Sequence, residues 1–345
     1  MKIGILFGGS SNEHEVSVVS ASSIIKNIDK EKYEIIPIYL DKKNNFYIWE
    51  KEVNEIDILQ FGKLPEELKK VTNPFEYLKE FDLIFIMIHG KNGEDGIFSS
   101  ILSFLNIPYV GNAPASSLIT MDKILTKEIL ERNNIKTSPY IYFSIYNNEY
   151  VYKDKIINKK ELYDIIISKL TFPLFIKPAN SGSSLGITKV KDAEDLDEAI
   201  EIALKVDHRI LIESEIKGRE IECGVLEKDG ELLTSVLGEV LSAEEFYSYT
   251  SKYTNSESAT IIPAKIDTKI AKKIQETAMN AFRILDCHTY SRCDFFLTND
   301  YKIILNEINT IPGFTEISMY PKLFAASGIS YKELIDILIN NSLNK

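Results

Sequence analysis

The chain has 345 residues, 44% hydrophobic and 26% charged, a balance that supports packed cores and, at this length, more than one domain. Its formal net charge of −11 argues against a nucleic-acid backbone as the main partner, since such binding needs a basic surface. Cys223, Cys287 and Cys293 form no C-x-x-C pair, no apolar run approaches the roughly 20 residues of a bilayer span, and Met1–Gly9 turns polar too soon for a secretory leader. These features predict a cytoplasmic protein with no membrane partner and no disulfide framework.

Along the chain, Lys2–Phe7 reads as a strand, followed by a glycine turn and helical apolar spacing over Val16–Ile28. Tyr33–Leu40 and Leu83–Ile88 read as buried strands, Gly96–Leu105 as a helix and Pro108–Val110 as a short strand, an alternation that predicts a parallel α/β sheet. Asp41–Thr72 is polar and gives no clear pattern. A second block follows: helix Met121–Asn133, strand Tyr140–Ser144, helix Lys159–Leu170, strand Pro173–Lys177, a Gly/Ser loop, strand Ile187–Val190 and helix Ala193–Val206 with Asp192 as N-cap. A third block, from Arg209, opens on strand Ile210–Glu213, turns a hairpin at Asp229-Gly230 and contains a long helix over Thr268–Leu285. Residues 242–258 are polar and aperiodic, as expected of a lid.

The densest chemistry lies in Arg292-Cys293-Asp294 and Asn306-Glu307-Ile308-Asn309, separated by the turn residues Asn299-Asp300. A hairpin here would set Asp294 beside Glu307, and the strand period of two puts Glu307 and Asn309 on one face. Three hard oxygen ligands of this kind suit Mg²⁺ on nucleotide phosphates. Ser181–Gly186 follows a strand carrying Lys177, and Lys123 opens an earlier helix, so backbone N–H groups and two ammonium groups are available for phosphate. The loop matches neither the G-x-G-x-x-G nor the G-x-x-x-x-G-K-[ST] spacing, which argues against a nicotinamide-dependent oxidoreductase and a P-loop enzyme. After Glu213, the linker containing Ile216 offers backbone to an adenine edge, and Glu220 follows it. At the N-terminus, Gly8–Glu15 joins strand to helix, where helix N–H groups suit a carboxylate and Glu13 an ammonium. His89–Gly96 is a second turn of this type.

These segments, with Met121-Asp122-Lys123, Phe246–Tyr253 and Pro312-Gly313-Phe314-Thr315 through Ser318-Met319-Tyr320-Pro321, occur in an order that resembles the D-alanine–D-alanine ligases of the ATP-grasp superfamily over nearly the whole chain. The resemblance implies an α/β, three-domain ATP-grasp architecture: an N-terminal parallel-sheet domain (1–118), a central domain (119–208) and a C-terminal domain (209–345), with ATP between the last two and the lid at 242–258. It implies that Lys123 and Lys177 hold phosphates under the Gly182–Ser184 loop, and that Glu213, Ile216 and Glu220 contact adenine and ribose. Asp294, Glu307 and Asn309 would hold two Mg²⁺, with Mn²⁺ able to replace them. Glu13 would anchor the ammonium of the first of two D-alanines, oriented with Ser183 and Tyr253, and Arg292 and the Gly313 N–H would form the oxyanion hole. His89, Lys252, Ser318 and Met319 would complete the substrate site, Lys252 facing the transferred phosphate and Ser318 the second substrate's carboxylate. A homodimer is also implied. D-serine and D-lactate are the alternative second substrates, and Tyr253 favours an amine nucleophile. Cys287–Ser291, bulkier and more polar than the family pattern, bears on the packing beneath Arg292.

Overall fold

The computed structural model describes residues 1–49, 68–241 and 259–343. The first sheet has the strand order 68–70, 46–49, 34–40, 2–8, 83–87, 109–110. Its last four strands run parallel and its first two add on antiparallel. The strands at its centre are continuous apolar runs (Ile3, Ile5, Leu6 and Phe7; Leu83–Met87) buried on both faces, as a parallel sheet covered by helices requires. Phe46–Trp49 and Leu68–Lys70 are strands that no period marked in the polar segment.

The second and third sheets are antiparallel. The helix expected over Met121–Asn133 forms over Lys123–Arg132, and a separate helix, Pro114–Met121, precedes it; Asp122 parts the two, its extended backbone letting its carboxylate accept from the Ile124 and Leu125 N–H groups at 3.0 Å. The helix expected over Ala193–Val206 begins with one tight turn, Ala193–Asp195, capped by Asp192 as anticipated, and continues over Leu196–Leu204. Strand Arg209–Ser214, expected to open the third block, instead lies inside the second sheet between Leu174–Pro178 and Tyr140–Tyr146. The third sheet begins with Gly218–Lys228, so residues 215–217 link the two sheets. Its core face (Ile221, Cys223, Cys293, Phe295, Leu297) packs on helix Thr268–Ile284 through Ile274, Ala278 and Phe282.

The C-terminal helices Met319–Ala326 and Tyr331–Leu343 share a core with the first sheet: Tyr320, Phe324, Leu334 and Leu338 cluster with Ile3, Phe85 and Ile86. Ion pairs Lys32–Asp336 (2.5 Å) and Lys332–Asp29 (3.0 Å) rim this contact. Asn112, 2% exposed, adds a clamp, donating to the carbonyls of Tyr290 (2.8 Å) and Thr310 (3.3 Å) and accepting from His288 N–H (2.7 Å). The first sheet and the segments that carry Tyr290 and Thr310 are therefore fixed relative to each other. No helix among the described residues is long and apolar enough to cross a membrane.

Candidate active site

The hairpin forms as the turn residues predict: Tyr290–Thr298 pairs with Ile303–Asn309, with Asp294 opposite Glu307 and Arg292 opposite Asn309. Burial alternates along the first strand from Ser291, and the second keeps Glu307 and Asn309 half-buried on either side of buried Ile308, so Arg292, Asp294, Phe296, Glu307 and Asn309 share the half-buried face. Strand Gly218–Lys228 extends that face, with Glu222 opposite Asp294 and Glu220 opposite Phe296. The register shifts after Asp294, where an extra residue, Asn306, bulges and lines the cavity.

Arg292 is gripped from two sides. Its Nε and Nη2 each lie 2.7 Å from an oxygen of Asp294, and its Nε lies 3.1 Å from Glu222 Oε2. Burial works against the guanidinium charge, but Asp294 and Glu222 outweigh it and push its pKa well up. Both oxygens of Asp294 thus face Arg292, whereas the sequence pattern presented Asp294 simply as a metal ligand. The donor set still suits Mg²⁺: two carboxylates and an amide oxygen, the last also accepting from Ile311 N–H at 2.9 Å, share one face of the hairpin, and Mg²⁺ draws its remaining ligands from water and phosphate. Among the described residues no group of three His, Cys, Asp or Glu side chains is placed to hold a metal alone.

Opposite the hairpin lies the second sheet. Glu213, 3% exposed, is met by Lys127 at 2.9 Å, by Lys177 and by the Ser138 hydroxyl, which donates at 2.7 Å. Burial opposes its ionisation, yet Lys127 and Lys177 overcome this and hold it well below the usual carboxylate range. Lys123 donates to the Ser181 carbonyl. Its ammonium pKa is lowered, first by burial. In the loop above, Ser183 (φ 51°) and Ser184 (φ 58°) are both left-handed, a backbone that non-glycine residues adopt only where the surroundings impose it. The Ser181 and Ser183 hydroxyls are buried without a partner among the described residues.

Glu13 stands at the start of helix His14–Asn27. Its Oε2 would lie 2.8 Å from a Cβ at Gly90 and 3.1 Å from one at Gly182. The N-terminal turn, the histidine turn and the serine loop therefore converge on one carboxylate, and at Gly90 the left-handed φ of 68° also favours glycine. On the far side, the Ser318 hydroxyl accepts from Thr315 N–H at 3.0 Å and lies 2.8 Å from where a Gly313 Cβ would be.

Two cavities result. One, about 190 Å³, is lined by Lys123, Lys177, Ser184, Glu213, Ile216, Glu220, Asp294 and Glu307, all anticipated, together with Phe175 and Glu222. The other, about 370 Å³, is lined by Glu13, Gly182, Ser183, Arg292, Asn309, Gly313, Ser318 and Met319. They meet at Lys123, Ser184, Ile187, Glu222 and Glu307, which line both. His89 lines neither: it is 2% exposed, with both ring nitrogens bonded to protein. Lys252 and Tyr253, with the expected lid, lie outside the described residues. Sequence reading passed over Lys127, Glu222 and Glu94. Lys127 is four residues, one helical turn, beyond Lys123, and Glu222 is two beyond Glu220 on a strand, so periodicity carried a signal for each. Glu94 lines the larger cavity, and its carboxyl is pushed up to about 8 by burial and then by the Glu13 charge.

Two family profiles match the chain: one described as D-ala D-ala ligase N-terminus over residues 2–112, the other as D-ala D-ala ligase C-terminus over 130–340. A D-alanine–D-alanine ligase of Natranaerobius thermophilus is 42% identical over 350 aligned residues, which cover 98% of this chain and 94% of the relative. Among solved structures, the VanG D-Ala:D-Ser ligase from Enterococcus faecalis superposes with a TM-score of 0.85 at 36% identity, covering 99% of both chains. The D-alanine–D-alanine ligase from Bacillus anthracis complexed with ATP gives a TM-score of 0.76 at 30% identity, covering 100% of this chain and 98% of that one.

Proposed function

This chain belongs to the D-alanine–D-alanine ligase family, and from that membership we propose that it joins two D-alanines into D-alanyl-D-alanine with ATP, by way of a D-alanyl phosphate, in the cytoplasm as a step towards peptidoglycan. The observation that carries the reading is the junction of the two cavities at Lys123, Ser184 and Glu307. A phosphate chain lying along the smaller cavity would end where a carboxylate in the larger one begins. The D-serine and D-lactate alternatives are not favoured, because relatives matching the whole chain at 42% and 41% identity are named for D-alanine alone, against 36% for the D-Ala:D-Ser ligase.

A free carboxylate is a poor electrophile, so one D-alanine oxygen first attacks the γ-phosphorus and ADP departs. The Ile216 backbone and Glu220 receive the adenine and ribose. Glu213, its oxygens taken by Lys127, Lys177 and Ser138, serves by holding Lys177 rather than by touching the base. Lys123 and Lys177 neutralise phosphate charge beneath the Gly182–Ser184 loop. Magnesium, which Asp294, Glu307 and Asn309 would hold as a two-ion site open to Mn²⁺, supplies further charge neutralisation when bound. Glu13, with Ser183 and Tyr253, orients the first substrate by its ammonium. The amine of the second D-alanine, its carboxylate at Ser318 beside Met319, then attacks the acyl carbon. The tetrahedral intermediate then breaks its bond to the phosphate oxygen, and the amine's proton leaves with the expelled phosphate. Arg292 and the Gly313 N–H stabilise its oxyanion, a contribution of about 2.7–4 kcal/mol per donor in comparable sites. Lys252 faces the transferred phosphate, and closure of the lid keeps water from the acyl phosphate.

The protein acts as a homodimer in this reading, which rests on the family membership alone. The test is phosphate release and product mass with Mg·ATP and D-alanine, alone and paired with D-serine or D-lactate. The dipeptide from D-alanine alone supports the assignment. A mixed product without the dipeptide would overturn the substrate, and no turnover despite ATP binding would overturn the activity.

A further inference from the structure

Gly313 reaches the larger cavity on the segment Ile311–Phe314, which has no regular secondary structure to hold its N–H in place. The hydrogen bonds on either side of it form one chain. His89 Nδ1 lies 2.9 Å from the Ile311 carbonyl. A carbonyl can only accept, so Nδ1 carries the proton and Nε2 of the neutral ring is an acceptor. Ser20 Oγ lies 3.0 Å from Nε2 and therefore donates to it. That hydroxyl is left to accept from the Phe314 N–H, 3.3 Å away. The relay runs Phe314 N–H to Ser20, Ser20 to His89, His89 to Ile311 carbonyl, and it ties together the two residues that flank Pro312-Gly313. Tyr331 completes the restraint by donating to the Phe314 carbonyl from the C-terminal helix.

We propose that Ser20 and His89 are positioning residues that hold the Gly313 N–H at the reacting carbonyl through this relay. The inference rests on the ligase reading above and adds to it the device that aims the oxyanion donor. It also gives a role to a serine at 0% exposure in helix His14–Asn27, and to a histidine that lines neither cavity. The groups facing the imidazole are Glu94, 3.9 Å from Nδ1, and Glu13 and Arg292 beyond it. Burial lowers the pKa of His89, against the opposing charge of Glu13, which keeps the ring in the neutral form the relay uses.

Ser20→Ala, His89→Leu and His89→Asn test the proposal, the last supplying an amide N–H in place of Nδ1–H. Turnover is read with Mg·ATP and D-alanine, and ring tautomer by nitrogen-15 NMR of histidine-labelled protein. A misplacement of about 1 Å can cost on the order of 100-fold in rate. The expected result is a 10- to 100-fold lower kcat for Ser20→Ala, a larger loss for His89→Leu, partial recovery in His89→Asn, and a KM for ATP within about 3-fold of wild type. The wild-type ring should show the Nδ1–H tautomer, and Ser20→Ala should move the Nε2 resonance alone. A wild-type Nε2–H tautomer, or a Ser20→Ala enzyme with unchanged kcat, would overturn the relay. So would equal losses for His89→Asn and His89→Leu. A wild-type protein that makes no dipeptide overturns the ligase reading instead, and the tautomer measurement separates the two because it needs no turnover.

Discussion

The substitution Glu213→Gln removes the main negative charge facing the buried Lys127 and half-buried Lys177 ammonium groups while preserving shape. Lys127 is 3% exposed and Glu213 likewise 3%, so neither regains water when its partner is lost. Breaking a buried pair by removing one member typically costs about 3–5 kcal/mol. A ceiling follows from proton chemistry. Burial already lowers the pKa of Lys127, with Glu213 the main opposing charge, so in the variant Lys127 can shed its proton instead. From its ordinary 10.5, deprotonation at pH 7 costs about 5 kcal/mol at 1.36 kcal/mol per unit. That ceiling falls by about 1.4 kcal/mol for each unit of rising pH, so the penalty should shrink between pH 7 and pH 9. On the acid side the sign reverses. Glu213 is depressed in the folded protein, so its contribution is present above its ordinary 4.5 and is lost as pH falls below it. Wild type should show this acid loss, and Glu213→Gln should lack Glu213's share. The assay is urea unfolding at pH 4 through 9, comparing the transition that exposes the second sheet. Replacing the pair together, Lys127→Met with Glu213→Leu, should recover much of the loss. A penalty under about 1 kcal/mol at pH 7, or one that grows with pH, would refute the reasoning.

Asn112→Ala strands the His288 N–H and the Tyr290 carbonyl and should cost about 2–4 kcal/mol; Asn112→Asp, which turns a donor into an acceptor against two carbonyls, should be worse, both read by urea titration. Cys223, Cys287 and Cys293 are buried, and burial pushes the first two thiols up to about 12; a thiol-specific chromogenic disulfide should label none in native buffer and all three in urea, and rapid native labelling would show the core to be open. Glu94, raised to about 8 by burial and by Glu13, binds its proton more tightly folded than unfolded. Its contribution is therefore complete below about pH 4.5 and lost as pH rises through 8, so wild type should lose at most about 5 kcal/mol over that window relative to Glu94→Gln; parallel stability curves would exclude the buried acid.

The sequence by itself determined what depends on neighbours along the chain. The Asn299-Asp300 turn and the period of two were enough to put Asp294 opposite Glu307 and to align Glu307 with Asn309. The caps at Asp192 and the buried runs Lys2–Gly8 and Leu83–Met87 were legible for the same reason, since backbone geometry and local hydrogen bonds act over a few residues. Periodicity states which face of an element is apolar, not which element will cover it. Only the tertiary structure could therefore put Arg209–Ser214 inside the second sheet, where its partners lie some 30 to 70 residues earlier, or bring Lys127 onto Glu213. His89 shows the limit most directly. In sequence it stands in a turn rich in functional residues, yet its ring points into the protein, to Ser20 and to Ile311, a residue 222 positions away. A carbonyl that distant becomes a neighbour only when the C-terminal helices bury Tyr320, Phe324 and Leu338 against the first sheet. The hydrophobic contact draws the two ends of the chain together, and the polar site is assembled as a consequence.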